Sequence, residues 1–447
     1  MDFKILIIGQ GGREHALAWK LSKSKKVSEI FVAPGNGGTF FENKVTNVNI
    51  KVNDVNELIN FVKKNLIDIT IVGPEVPLVD GIVNMFNKEN LKIFGPSKEH
   101  AQLEGSKVFS KKFMVENEIP TANSKSFSLK KDAIDYLKQH KFPVVIKADG
   151  LAAGKGVIIA DSYSESERAV NKLLNENESK KIIIEDFLKG IELSAIYICN
   201  YNGRGYEVGL PWIKDYKSRD EYNAGPNTGG MGAVSHPFTY DRKNILFKIN
   251  IQIEKILEKT IHSINQKCKS EYVGFLYIGL MISKECEVNV LEYNCRLGDP
   301  ETQNIMLTLD LGNIDLLDVI LANNQEYGII PPPPIEPSKL VSESQYTCTV
   351  VLASKGYPSE YKKNFFLDLS GLEDSKFIKI FHAGTIIHNG KIKVTGGRIL
   401  SVNTIAQDKE TAIELAYQNI KKIKAYEDEN MSKENMDLIF YREDIGN

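Results

Sequence analysis

The sequence predicts a multidomain chain of mixed α/β and α+β class that opens with a doubly wound parallel sheet. Three observations carry that expectation. The first hundred residues alternate short apolar runs with helical segments. From about Ala101 the rhythm changes to strand pairs and longer helices, and four prolines at 331–334 set off a last stretch of short strands around one helix. At 447 residues the chain is long enough for several cores.

In the first stretch the apolar runs are Phe3 to Ile8, Ile30 to Ala33, Asp68 to Val72 and Leu91 to Phe94, and each runs into a glycine loop: GQGG, APGNGG, VGPEVP and FGPS. Helical patterns at Val55 to Asn65 and Val79 to Asn90 lie between them. Ligands of such sheets bind beyond the carboxyl ends of the strands, so the four loops are expected to line one crevice. The first of them, FKILIIGQGGRE, is close to a dinucleotide-binding turn. Its third glycine position is Glu14, however, and the run ending at Ala33 passes into PGNGG without the carboxylate that would hold a ribose. A nicotinamide or flavin enzyme is therefore disfavoured. Backbone N–H groups at a helix start still suit one phosphate, and a tight turn that binds nothing stays open beside that reading.

The middle stretch holds most of the chemistry. In VLEYNCRLGDPETQ, residues 290–303, strand alternation puts Glu292, Asn294 and Arg296 on one face. Two hard oxygens and a guanidinium describe a Mg²⁺ site with phosphate, and LGDPE brings Asp299 and Glu301 back towards it. A polar edge strand with an exposed Glu292–Arg296 pair explains the same residues. PVVIKADGLAAGKGVII, residues 143–159, flanks a glycine loop with two β-rich segments and adds Lys147 and Lys155. It lacks the spacing and the Ser/Thr of a Walker A loop. Lys107 lies at a helix start in LEGSKVFSKKFM. IIIEDFLKGIELS breaks a strand after Glu185 and Asp186 and resumes at Glu192, which suits an adenine edge and its ribose or, equally, a plain hairpin. NAGPNTGGMGAVS has four glycines within residues 225–232, a density expected where backbone approaches an anion.

Composition narrows the partners. Lys plus Arg is 56 against 58 for Asp plus Glu, so nothing electrostatic calls for nucleic acid. Mean hydropathy is −0.24 and no apolar stretch approaches the ~18 residues of a membrane span, so no membrane partner is expected. The five cysteines are scattered, which reads as reduced thiols in a cytoplasm. The histidines show no ligand spacing, and no zinc or iron site is expected; His15, beside Arg13, reads as a satisfied core or surface residue sooner than an anion ligand.

Taken in order, GGREHALAWK, TIVGPEVPLV, AQLEGSKVFSK, VIKADGLAAGKGV, EDFLKG, GPNTGGMGA, EYNCRLGDPETQ, FHAGT and TGGRIL resemble the phosphoribosylamine–glycine ligase (glycinamide ribonucleotide synthetase) family of the ATP-grasp superfamily, across essentially the whole chain. The resemblance implies a pre-ATP-grasp domain over 1–103, an ATP-grasp domain over 104–328 with a mobile lid at about 121–190, and a C-terminal α+β domain over 329–447. It implies ligation of glycine to 5-phosphoribosylamine through glycyl phosphate, with ATP as co-substrate and Mg²⁺ or Mn²⁺ as cofactor, by a chain expected to act as a monomer. Another carboxylate–amine ligase of the superfamily and an inert nucleotide-binding protein are the competing readings.

Carried over by position, Lys107, Lys147, Gly150, Gly154 and Gly156 would meet ATP phosphates, Glu185, Asp186 and Leu188 the adenine, and Glu192 the ribose. Glu292 and Asn294 would hold the metal; Arg296, Asp215 and Lys155 would be catalytic. Gly11, Gly12, Arg13, Glu14, Gly35, Asn36, Glu75, Gly229, Gly230 and Asp299 would contact substrate. Two departures stand out. The strand YVGFLYIGLMI carries no acid for a second metal, and PWIKDYKSR, which contains Asp215, is shorter than the family's stretch.

Overall fold

The computed structural model describes residues 2–152, 156–175, 180–200, 207–235, 242–321, 345–372 and 374–446. Gly154, Lys155 and the four prolines lie outside the described residues.

The N-terminal sheet is parallel, with strands β1 (Phe3–Gly9), β2 (Val27–Pro34), β3 (Val45–Asn47), β4 (Ile69–Val72) and β5 (Ile93–Phe94) in the order β3-β2-β1-β4-β5. The order reverses between β1 and β4, and there the carboxyl ends open a crevice. β1 is buried along almost its whole length, as a central parallel strand covered on both faces must be. The expected helix over Val55 to Asn65 is present with those bounds; Asp54 caps it by accepting from Glu57 N–H. The expected helix over Val79 to Asn90 is instead two, Glu75–Asp80 and Ile82–Lys88. Gly81, at φ +96°, takes a left-handed conformation that ends the first and starts the second. The short strand β3 carries no alternation signal that sequence reading could have used.

A second, antiparallel sheet is built from β6 (Ser124–Phe127), β7 (Val144–Ala148), β8 (Val157–Ala160) and β9 (Ile182–Asp186), in the order β6-β9-β7-β8. Its alternate residues Val144, Ile146, Ile182 and Ile184 pack with Ala169, Val170 and Leu173 of the helix Tyr163–Asn175 into a core of their own.

The remaining strands are β10 (Ile191–Asn200), β11 (Glu207–Gly209), β12 (Ile213–Asp215), β13 (Gly232–Ser235), β14 (Val273–Ile282), β15 (Val288–Asn294), β16 (Tyr346–Ser354), β17 (Phe366–Asp368), β18 (Ile378–His382), β19 (Thr385–His388), β20 (Lys391–Val394), β21 (Arg398–Ala406), β22 (Lys424–Tyr426) and β23 (Ile439–Phe440). The main path of the large sheet runs β15-β14-β10-β12-β13-β16-β21-β18, and β19-β20-β17-β22 form a small sheet beside it. Strands that follow the proline run therefore continue the sheet that precedes it. The join is the antiparallel pair β13–β16, Gly232 opposite Val350 and Val234 opposite Cys348. Gly232 allows it, since a Cβ there would lie 2.7 Å from Thr349 O. Among the described residues no helix is long and apolar enough to cross a membrane.

Candidate active site

One cleft of about 630 Å³ takes lining from all three regions: Arg13 and Glu75 from the N-terminal sheet, Lys107, Lys147 and Glu292 from the middle, Tyr357 and Arg398 from the C-terminal strands. The lysines are set by a helix start. Ser106 caps the helix Lys107–Glu116 by accepting from Phe109 N–H at 3.1 Å and donates to Asp149 Oδ1 at 2.9 Å. Val108 N–H donates to the same carboxylate oxygen at 3.1 Å, an acid at the positive end of a helix. The residues just past β7 are thus tied to this turn, and Lys107 Nζ reaches Gly150 O at 2.8 Å.

Lys147, near the end of β7, is diagonal to Glu185 on β9 and pairs with its Oε2 at 2.9 Å. Lys111, one helical turn beyond Lys107, holds Oε1 of the same carboxylate at 3.3 Å. Glu185, expected at the adenine, is 3% exposed and occupied by two lysines. Asp186 accepts from Asn123 Nδ2 at 3.0 Å and pairs with His140 Nε2 at 2.9 Å. Leu188 and Gly156 line the cleft beside them.

Strand β15 delivers Glu292 and Asn294 through a bulge. Gly279 pairs with Glu292 and Leu280 with Val290, which leaves Leu291 as the extra residue. The burial phase shifts there, from Val288 and Val290 inward to Tyr293 and Cys295 inward. Plain alternation puts Glu292 on the face of Val288 and Val290, in the core. The bulge turns it, with Asn294, into the cleft.

The charge around Glu292 is cationic. Lys217 lies 3.3 Å from Glu292 Oε1 and also pairs with Glu192 on β10. Lys217 above all, against the cost of burial, and with Lys147 and Lys107, pushes the Glu292 carboxyl down to about 2. The Lys217 ammonium is in turn pushed well up: burial opposes its charge, and Glu192 and Glu292 outweigh it. Burial pulls Lys107 down. Glu292 and Asn294 supply two hard oxygens among cations. That donor set fits a Mg²⁺ ion taking its remaining oxygens from phosphate and water. Among the described residues no group of three or more His, Cys, Asp or Glu could hold a metal alone.

Arg296 is braced by acids. Its Nη2 pairs with Glu104 Oε1 at 3.1 Å, and its Nε stands 3.4 Å from Glu75 Oε2. Burial works against this guanidinium, and Glu104, Glu75 and Glu301 raise it nonetheless.

The first glycine loop is already filled. Glu14 Oε2 accepts from Gly11 N–H at 2.6 Å and its Oε1 from Arg13 Nε at 2.5 Å, while Arg13 Nη1 donates to Leu297 O at 3.0 Å. A Cβ at Gly9, φ +137°, would lie 2.5 Å from Glu14 Cδ; one at Gly73, past β4, would be 2.6 Å from the same atom. Glu14 thus sits at the switch point between β1 and β4, where a dinucleotide phosphate would otherwise go. Gly35 and Asn36 do not line the cleft. The Asn36 amide is spent on Gln10 O at 2.9 Å and His382 O at 2.8 Å, and its Oδ1 on Gly38 and Thr39 N–H, so it joins the N-terminal loops to β18. Gly12 also lies outside the lining, against the side chain of Gln303. Glu75, Gly229 and Asp299 are in it.

Sequence reading missed Lys111, Glu104, Lys217 and Arg398. Lys111 follows Lys107 by one helical turn, Glu104 lies on the preceding short helix Gln102–Gly105, and Lys217 is two residues from Asp215. Arg398 belongs to TGGRIL and donates from Nη1 to Asp299 O at 2.5 Å and Gly229 O at 2.6 Å, with Nη2 3.3 Å from Asp299 Oδ2.

Three family models match in succession: phosphoribosylglycinamide synthetase N domain over residues 3–104, its ATP-grasp (A) domain over 105–302 and its C domain over 347–447. The phosphoribosylamine–glycine ligase of Clostridium acetobutylicum is 41% identical over 449 residues, 99% of each chain. That of Fusobacterium nucleatum is 42% identical over 454 residues, covering 99% of this chain and 98% of the relative. A crystal structure of the phosphoribosylamine–glycine ligase of Thermotoga maritima superposes with a TM-score of 0.77 at 32% identity, over 99% of this chain and 100% of that one.

Proposed function

The chain belongs to the phosphoribosylglycinamide synthetase family, and from that membership we propose that it joins glycine to 5-phosphoribosylamine at the expense of ATP, giving glycinamide ribonucleotide, ADP and phosphate in purine biosynthesis. The observation that carries the reading is Glu292 and Asn294 in one cleft with Lys107, Lys147 and Lys217, the last 3.3 Å from Glu292 Oε1. A binding module has no use for such a constellation; phosphoryl transfer does.

In this reading the glycine carboxylate attacks the γ-phosphorus of ATP and ADP leaves. The amine of phosphoribosylamine then attacks the acyl carbon of glycyl phosphate, and phosphate leaves. Lys107 and Lys147 take ATP phosphates, and Glu185 aims Lys147 at them. Asp186 and Leu188 border the adenine, Glu192 takes the ribose, and Arg296 steadies the acyl phosphate. Glu292 and Asn294 would hold Mg²⁺ or Mn²⁺, which when bound supplies charge neutralisation at the moving phosphoryl group. Because Glu14 occupies Gly11 N–H, the N-terminal loops offer phosphoribosylamine the acids Glu14, Glu75 and Asp299 for its hydroxyls. Free thiols support a cytoplasmic setting.

The test is ADP release with Mg²⁺ and ATP, omitting glycine and phosphoribosylamine in turn. Turnover should need both and should fall by about 10³-fold in Glu292→Ala. ADP formed with another amino acid and not with glycine would move the substrate assignment to another carboxylate–amine ligase.

A further inference from the structure

Lys217 is gripped from behind as well as from the cleft. At the end of β12 the side chains alternate: Asp215 and Lys217 line the cleft, and Tyr216 between them turns into the core on the other side, 3% exposed. There it shares a cluster with Val234 and Ile445, and its hydroxyl accepts from Gly446 N–H at 3.0 Å. The Lys217 carbonyl accepts from Thr228 N–H and Thr228 Oγ1, both at 2.8 Å. The glycine-rich run at 225–232 thus fixes one side of this main chain, and the segment after β23 fixes the other.

That segment, Tyr441 to Gly446, is built around a buried arginine. Arg442, 1% exposed, forks onto Asp444, with Nε 2.7 Å from Oδ1 and Nη2 2.6 Å from Oδ2. Its Nη1 donates to the carbonyl of Ser218, the residue after Lys217, at 3.0 Å, and its guanidinium carbon stands 5.1 Å from the centre of the Tyr216 ring. Asp444 Oδ2 also accepts from Tyr222 N–H at 2.8 Å. Tyr222 and Asn223 are both left-handed, at φ +55° and +59°. Non-glycine residues persist there only where their surroundings over-determine them. Here Asp444 holds the first, and Arg442 Nη2 reaches Asn223 Oδ1 at 3.4 Å. Tyr417, on the helix Lys409–Ile420, closes the arrangement by donating to Arg442 O at 2.8 Å and accepting from Ile445 N–H at 3.1 Å.

A buried ion pair is a poor source of stability, since an apolar side chain fills the same space at less cost. What the fork adds is direction. Among the described residues, each hydrogen bond of the Arg442 guanidinium goes to Asp444 or to residues 218–223. We propose that Arg442 is a positioning residue: with Asp444 it holds the main chain on both sides of Lys217, and so sets that ammonium between Glu192 and Glu292. The role rests on the ligase reading, in which Glu292 holds the metal and Lys217 is the cation beside it. The C-terminal strands then contribute to phosphoryl transfer through a residue that touches no substrate.

The test is a double-mutant cycle in the full-length enzyme, with glycine-dependent ADP release read beside urea unfolding. Arg442→Ala should lower kcat about 10²-fold, the cost of displacing a group at the reacting site by about 1 Å. In a Lys217→Met background the same change should lower kcat by less than about twofold. Arg442→Lys, which keeps the charge and loses the fork, should restore little of the loss. Tyr216→Phe removes only the hydroxyl that takes Gly446 N–H; it should show a smaller loss with the same dependence on Lys217, and it decides the cycle if Arg442→Ala does not fold. An equal loss of kcat with and without Lys217, or an unchanged kcat in Arg442→Ala, overturns the proposal. If the wild-type enzyme shows no glycine-dependent turnover, the ligase reading fails and limited trypsin digestion still judges the clamp. Cleavage after Lys217 or Arg219 should quicken about tenfold in Arg442→Ala or Tyr216→Phe, the opening expected when such a hydrogen bond is lost, and unchanged cleavage there overturns it.

Discussion

The two glycine loops, GQGG at residues 9–12 and the loop that opens at Gly150, look alike in sequence and are opposites in structure. At the first, Cβ atoms on Gly9 or Gly11 would run into Glu14 and one on Gly12 into Gln303. At the second, a Cβ on Gly150 would meet nothing within 4 Å. The first set of glycines leaves space that side chains fill, whereas Gly150 lets the backbone turn, at φ +91°; Gly156, at the far end of that loop, is by contrast crowded, with a Cβ there 2.5 Å from Ala152 Cβ. A glycine-rich loop thus says that backbone comes close to something. Only the neighbours say whether that something is protein or ligand.

The largest effect should come from the filled loop. Gly9→Ala, forced to φ +137° against Glu14, should cost about 3 kcal/mol or more of stability. Urea unfolding reads it, and a cost below about 1 kcal/mol would mean that Glu14 is not packed as described.

The filled side continues into a latch with the C-terminal strands. His15, on the helix Gly12–Ser22, accepts from His382 N–H at 2.8 Å through Nδ1 and meets Glu42 Oε1 at 3.1 Å through Nε2, and Lys379 holds Glu42 at 2.7 Å. Burial opposes the Glu42 charge, yet His15 and Lys379 bring its carboxyl down to about 2. A carboxylate depressed in the fold contributes stability that is present above the unfolded value near 4.5 and lost as pH falls towards 2. Wild type should therefore exceed Glu42→Gln by about 2 kcal/mol at pH 7, with the gap closing between pH 4.5 and 2. A gap that is the same at both ends would remove the latch.

The smallest stability effect belongs to the open loop. Gly150→Ala should cost only about 1 kcal/mol, the penalty of a left-handed non-glycine residue, while the KM for ATP rises several-fold. A stability loss as large as that of Gly9→Ala would erase the contrast.

Much of this was legible in the residues. The parallel sheet followed from four apolar runs ending in glycine, and Lys107, Lys147, Glu292, Asn294 and Arg296 do line one cleft. What alternation could not supply was the bulge at Leu291: the period of two holds among Glu292, Asn294 and Arg296, but one extra residue before them inverts their relation to Val288 and Val290. Arg398 and Tyr357 were out of reach for a different reason. Nothing local in TGGRIL tells that its arginine crosses to carbonyls of Gly229 and Asp299, since long-range pairing is a property of the sheet and not of the segment. Glu14 was read as a defect in a fingerprint, when it is the residue that completes the turn.

The junction of β13 with β16 has a mechanical consequence. Backbone hydrogen bonds run unbroken from β15 to β18, so the strands carrying Glu192, Asp215, Glu292 and Arg398 form a single plate. The sheet of β6 to β9 stands outside that plate, with a core of its own. The cleft is built like a vice with one fixed jaw: the side chains that the strands of the plate carry keep their spacing to one another.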